Sequence, residues 1–191
     1  QLSTSLVYFP AKNVRLEGGV YLHKDFGNNK YSEVSPLLSV KVKYHNLSLI
    51  FGNLEGSLNH GLIEPIYDFE KIMTNRLEEG LKLLLNKRNF DLDFSINWEN
   101  MLYRGDSAQE MVSGGLNMNY KLIDEAGFTL ELPLQLTAMH LGGQIDATPL
   151  PLTTKVNGSA GFNLTMKTSN DLVKGIELKP YFLFYKEASF N

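Results

Sequence analysis

The residues of this chain best suited to chemistry are four histidines, His23, His45, His60 and His140. Near neutral pH an imidazole can act as base, acid or metal ligand. A metal centre would need ligands at a spacing such as HxxxH, and no two of these histidines are so placed; cysteine is absent. No metal is therefore expected. His140 stands in HLGGQID, with Asp146 six residues on. A hydrolytic centre would want a hydroxyl nucleophile beside that histidine, but two positions after His140 comes Gly142. The expectation is a protein with no catalytic residue, hence not an enzyme. Arg104, Gly105 and Asp106 spell RGD, which is read as coincidence, and the glycine pairs that begin at 18, 114 and 142 do not open helices, so no phosphate cradle and no cofactor is expected.

A larger polar set recurs at regular spacing: Arg15, Glu17, Lys41, Lys43, Lys82, Asp93, Glu99, Asn117, Asn119, Lys121, Glu131, Gln135 and Asn163. Both signs of charge are present. On one wall of a barrel they would hydrate a channel for small polar solutes, with selectivity set by charge placement. Paired across the interior, they would instead close it.

The elements that must hold these residues are strands. In DLDFSINWENM, Leu92, Phe94, Ile96 and Trp98 alternate with Asp91, Asp93, Ser95, Asn97 and Glu99. Successive strand side chains point to opposite faces, whereas a helical period of 3.6 would scatter them. The alternation recurs in Val14, Leu16, Val20 and Leu22, and in Leu38, Val40, Val42 and Tyr44. After the tight turn at His45 and Asn46 the apolar set moves to odd numbers, Leu47, Leu49 and Phe51, as a two-residue hairpin loop requires. It returns to even numbers after 86–89 and stays even across the odd-length loop 123–127, through Phe128, Leu130, Leu132, Leu134 and Leu136. Pro133 and Pro180 interrupt the pattern, and each predicts a bulge or a local break.

Connections alternate in length: 24–36, 55–79, 103–110 and 139–154 are long, and those between them are short. Within 55–79, EPIYDFEKIMT is compatible with a short helix. Long loops at one end, tight turns at the other and strands of about ten residues are the layout of an outer-membrane barrel, with the long loops outside the cell. Tyr44 and Tyr120 near short turns, and Trp98 at the opposite end, suit interfacial girdles. The fold expected is all-β, an antiparallel transmembrane β-barrel forming one domain over 1–191. Counting from Val14 gives about nine strands, an odd number for an antiparallel barrel. Either Leu6 to Phe9 add a strand or, as favoured here, the chain is part of a larger barrel.

Composition agrees. A net charge of -3 gives no nucleic-acid footprint, and 43% apolar residues suffice for a core. No apolar run reaches the length of about 18 residues needed for a spanning helix. Alternation alone leaves a soluble β-sandwich binding module open, since either face could be the inner one.

Several segments resemble the porin-like outer-membrane β-barrel proteins of Bacteroidota: GNLEGSLNHGLIEPIYDFE, EEGLKL, FSINWENML with QEMVSGGL, and HLGGQID. The resemblance implies a mature envelope protein integral to the outer membrane. Partners expected are outer-membrane lipid and, for a barrel within an assembly, other envelope proteins or copies of itself. It supplies no substrate and no catalytic residue.

Overall fold

The protein is described here from a computed structural model covering residues 1–55, 59–103, 105–143, 148–170 and 172–190, the last without its side chain at 190. Arg104 and Asp146 lie outside the described residues. The strands are β1 (Leu2–Ala11), β2 (Val14–His23), β3 (Glu33–Tyr44), β4 (Leu47–Asn53), β5 (Glu79–Lys87), β6 (Phe90–Asn100), β7 (Met111–Glu125), β8 (Phe128–Leu141), β9 (Leu152–Gly161), β10 (Asn163–Lys167), β11 (Gly175–Leu178) and β12 (Tyr181–Phe190). All twelve belong to one sheet, and every pairing is antiparallel. The only helical pieces among the described residues are a 3-10 turn, Glu64–Ile66, and one turn of α-helix, α1 (Lys71–Thr74), both inside the segment EPIYDFEKIMT.

Tight turns lie at Lys12 and Asn13, His45 and Asn46, Arg88 and Asn89, and Ala126 and Gly127, all at one end of the sheet. The long connections gather at the other. They are shorter than the sequence suggested: Glu33–Pro36 pair with β2, and Met139–Leu141 pair with β9, so ladder hydrogen bonds extend the strands into segments whose composition resembles loop. Pro36, the last residue of the expected connection 24–36, sits in β3 opposite Val20. Leu6 to Phe9 lie in β1, so the first ten residues or so do supply a further strand.

The prolines explain why the last strands are split. One register runs through β8 to β9 and on to β10, which places Pro133 beside the break between Gly161 and Asn163. The β9–β12 and β10–β11 pairings also share one register, and Pro180 falls in the gap between β11 and β12. Proline brings no ladder donor, so the bonding thins along this line. There Phe162 N–H donates to the Pro180 carbonyl at 3.3 Å. Taking β9 with β10 and β11 with β12 as single interrupted crossings, the twelve strands make ten. Among the described residues β1 pairs only with β2 and β12 only with β9, so the sheet is open between them.

Register also defines two faces, because residues directly opposite each other share one. Arg15 faces Lys41, which faces Ile50, which faces Lys82, and the row continues through Ser95, Gly115, Thr137 and Asn157 to Tyr185. This face carries the buried residues, among them Ile50 at 0%, Lys82 at 1% and Tyr21 at 2% exposure. The other face carries Leu16, Val20, Leu38, Val40, Val42, Phe51 and Trp98, and these are exposed, Leu38 at 67%. Polar residues are thus covered and large apolar residues bare, the reverse of a sheet in water.

Candidate functional site

What covers the polar face is the second long connection, through its residues 59–78. Gly61 and His60 have positive φ angles, +68° and +52°, which turn the chain back onto the sheet. Neutral side chains of two strands then bind its backbone. Asn117 of β7 donates to the His60 carbonyl at 3.0 Å. Gln135 of β8 donates to the Gly61 carbonyl at 3.0 Å and accepts from the Ile63 N–H at 3.0 Å. Thr137 donates to the Ile66 carbonyl at 3.1 Å. Leu62 and Ile66 are buried against the sheet, Leu62 over Gly115. The connection and the sheet enclose a cavity of about 190 Å³ between them.

Charges are paired beneath the connection. His60 sits between two carboxylates, Nε2 at 2.6 Å from Glu78 and Nδ1 at 3.4 Å from Asp93. Lys82 reaches Asp93 at 3.1 Å. Burial works against the imidazolium, but the hydrogen bonds of Asp93 and Glu78 and the charge of Glu78 outweigh it, with Lys82 opposing, so the His60 pKa is raised. Burial, then the carboxylates of Glu78, Asp68 and Glu99, push the neighbouring Tyr67 phenol up to about 12. Lys71 of α1 meets Glu99 at 2.5 Å. Toward the tight-turn end Glu55 binds Arg15 at 2.5 Å and Lys41; burial raises its pKa, but the two cations outweigh that and leave it lowered.

Of the thirteen polar residues singled out by spacing, Arg15, Lys41, Lys82, Asp93, Glu99, Asn117 and Gln135 are engaged with the connection or with the buried charges beneath it. Glu17 pairs with Arg15 at 2.6 Å. Asn163 accepts from the Tyr181 hydroxyl at 3.1 Å. Lys43, Asn119, Lys121 and Glu131 lie toward the tight-turn end, Lys121 opposite Glu131. Sequence spacing missed the apolar members Leu37 and Ile50 of this face, because each interrupts a polar row; it also left open where the long connection goes.

On the bare face one histidine stands apart. His140 ends the alternation of β8 next to the long connection 142–151, and its Nδ1 lies 2.8 Å from the Thr154 Oγ1 of β9, directly opposite in register. Nε2 has no partner among the described residues. Both ring nitrogens of His60 are occupied by carboxylates, His23 pairs with Asp25 at 3.2 Å, and His45 packs edge-on against Tyr44 in a tight turn. Among the described residues only His140 joins a hydroxyl, and it does so at the rim of the apolar surface. A basic imidazole on a hydroxyl is the minimal pairing for acyl transfer. Gly142, at φ +97°, contributes no side chain there. The search for a nucleophile along the strand missed Thr154 because it is adjacent across the ladder.

A family model described as lipid A 3'-O-deacylase-type matches residues 1–191. No curated protein and no solved structure gives a significant match. The family is one of enzymes, which overturns the expectation that the chain has no catalytic role; that expectation came from the missing metal-ligand spacing, the missing cysteine and the absent hydroxyl at position 142. An all-antiparallel sheet with its apolar face bare fits an outer-membrane protein of this kind. Matched from first residue to last, this chain belongs to the lipid A 3'-O-deacylase-type family.

Proposed function

We propose that the protein is an integral outer-membrane β-barrel that hydrolyses an acyl ester of a membrane glycolipid of the lipid A class. Its bare face meets lipid, the thirteen polar residues line the interior, and the long connections face outside. His140 is the general base and Thr154 the nucleophile: Nδ1 takes the hydroxyl proton as Oγ1 attacks the ester carbonyl, and the alcohol leaves with that proton. Water, activated by the same ring, then hydrolyses the threonyl ester and releases the fatty acid. The observation that carries this is the His140–Thr154 contact at the long-connection end of the bare face, where an outer-leaflet lipid would lie.

The test is acyl release from lipid A vesicles, followed by mass spectrometry. His140→Asn is expected to lower the rate by about 100-fold or more, and Thr154→Val by a similar factor. Release unchanged in both variants would overturn the assignment of the pair; loss in His140→Asn alone would pass the nucleophile's role to water.

A second reading, passive passage of small polar solutes as the porin-like resemblance implies, is favoured by the polar interior face. In that reading the connection 54–78 sets the constriction.

A further inference from the structure

We propose that His60 is a proton-operated latch, whose charged form holds the connection 59–78 against the interior face of the sheet and whose neutral form releases it. The latch involves none of the residues assigned to ester hydrolysis.

Charge counting under the connection carries the argument. The groups facing His60 are Glu78 of the connection itself, Lys82 of β5 and Asp93 of β6; β7 offers only the neutral amide of Asn117. Tyr67, Asp68, Lys71 and Lys155 border the cavity beyond. With an imidazolium, two cations meet two carboxylates and the buried cluster is neutral. Without the proton, Lys82 and Asp93 still balance, and Glu78, its side chain 20% exposed, is left facing a neutral ring. A largely covered charge without a counter-charge is costly, and the cluster escapes that cost by letting water in. Water enters where the connection lifts, since His60 and Glu78 belong to it whereas Lys82 and Asp93 belong to the sheet. The remaining ties near His60 are neutral hydrogen bonds from Asn117 and Gln135, each of which water can replace.

The sign follows from linkage. The folded-state pKa of His60 is raised, so its contribution to holding the connection is complete below the ordinary histidine value and is lost as pH rises through the raised one. The connection is therefore closed in acid and freed in alkali, and the interior becomes more accessible on the alkaline side.

Hydrogen exchange of the vesicle-reconstituted protein, read by mass spectrometry from pH 5 to 9 and corrected for intrinsic amide chemistry, tests this on the connection's own amides, with β7 peptides as internal reference. Protection at Leu62, Ile63 and Ile66 should be flat in acid and then fall by up to about tenfold per pH unit above the raised pKa, while β7 stays constant. His60→Gln, which cannot carry the charge, should show weak protection that is flat in pH. Glu78→Gln should keep protection and lose most of the slope, because the neutral ring then faces a balanced pair. Protection that stays flat across the range in the unaltered protein would overturn the latch, as would an unchanged slope in either variant.

Discussion

Lys82 shows what the structure adds to a position read from spacing. Spacing placed it on the polar face, the register puts it there, and at 1% exposure it is paired with Asp93 under the connection. Replacing it by methionine, which keeps the stem and removes the charge, strands Asp93 in a site shared only with His60. Lys82→Met is expected to cost about 3 kcal/mol of stability, measured by urea unfolding in lipid vesicles, and Lys82→Met with Asp93→Asn should cost less than the single change. With Asp93→Asn measured alone to close the cycle, a double-variant cost equal to the sum of the two single costs would mean that the pair does not interact. Thr154 is the opposite case. Nothing along the chain joined it to His140, because the two are fourteen positions apart and meet only through the β8–β9 register.

At the scale of elements, the strands were readable because their period is 2 and each connection's parity had to agree with the next strand. The flips after His45 and Asn46 and after Arg88 and Asn89 are both present in the ladders. Connections obey no such rule. Nothing periodic in 54–78 says that it folds inward; the decision rests on Gln135, Asn117 and Thr137 meeting backbone groups some 57 to 74 positions away in sequence. If that connection limits a passage, replacing 59–74 by a short Gly-Ser linker should raise single-channel conductance in planar bilayers several-fold over the unaltered protein at neutral pH. Equal conductance would remove the constriction from this segment. The break anticipated at Pro180 falls in the gap between β11 and β12, whereas β8 runs unbroken through Pro133 and the break there appears in the neighbouring strand, between β9 and β10.

For the whole molecule, alternation could not say which face was inner, since a soluble sandwich and a lipid-embedded barrel share it. The covered polar face and bare apolar face supply that choice through packing, a property of the assembled sheet and not of any segment. A soluble protein would leave an apolar surface of this extent only where a partner covers it. The account therefore turns on lipid contact, and the chain carries its own reporter: Trp98 is its one tryptophan, 41% exposed on the bare face at the long-connection end of β6. The most direct measurement is fluorescence quenching of Trp98 in the reconstituted protein by lipids brominated at graded depths, alongside aqueous iodide. Strong quenching by bromine near the headgroup end of the acyl chains, weaker quenching at the bilayer centre and little by iodide is the predicted result. Quenching by iodide with none from any brominated lipid would contradict the membrane-facing assignment.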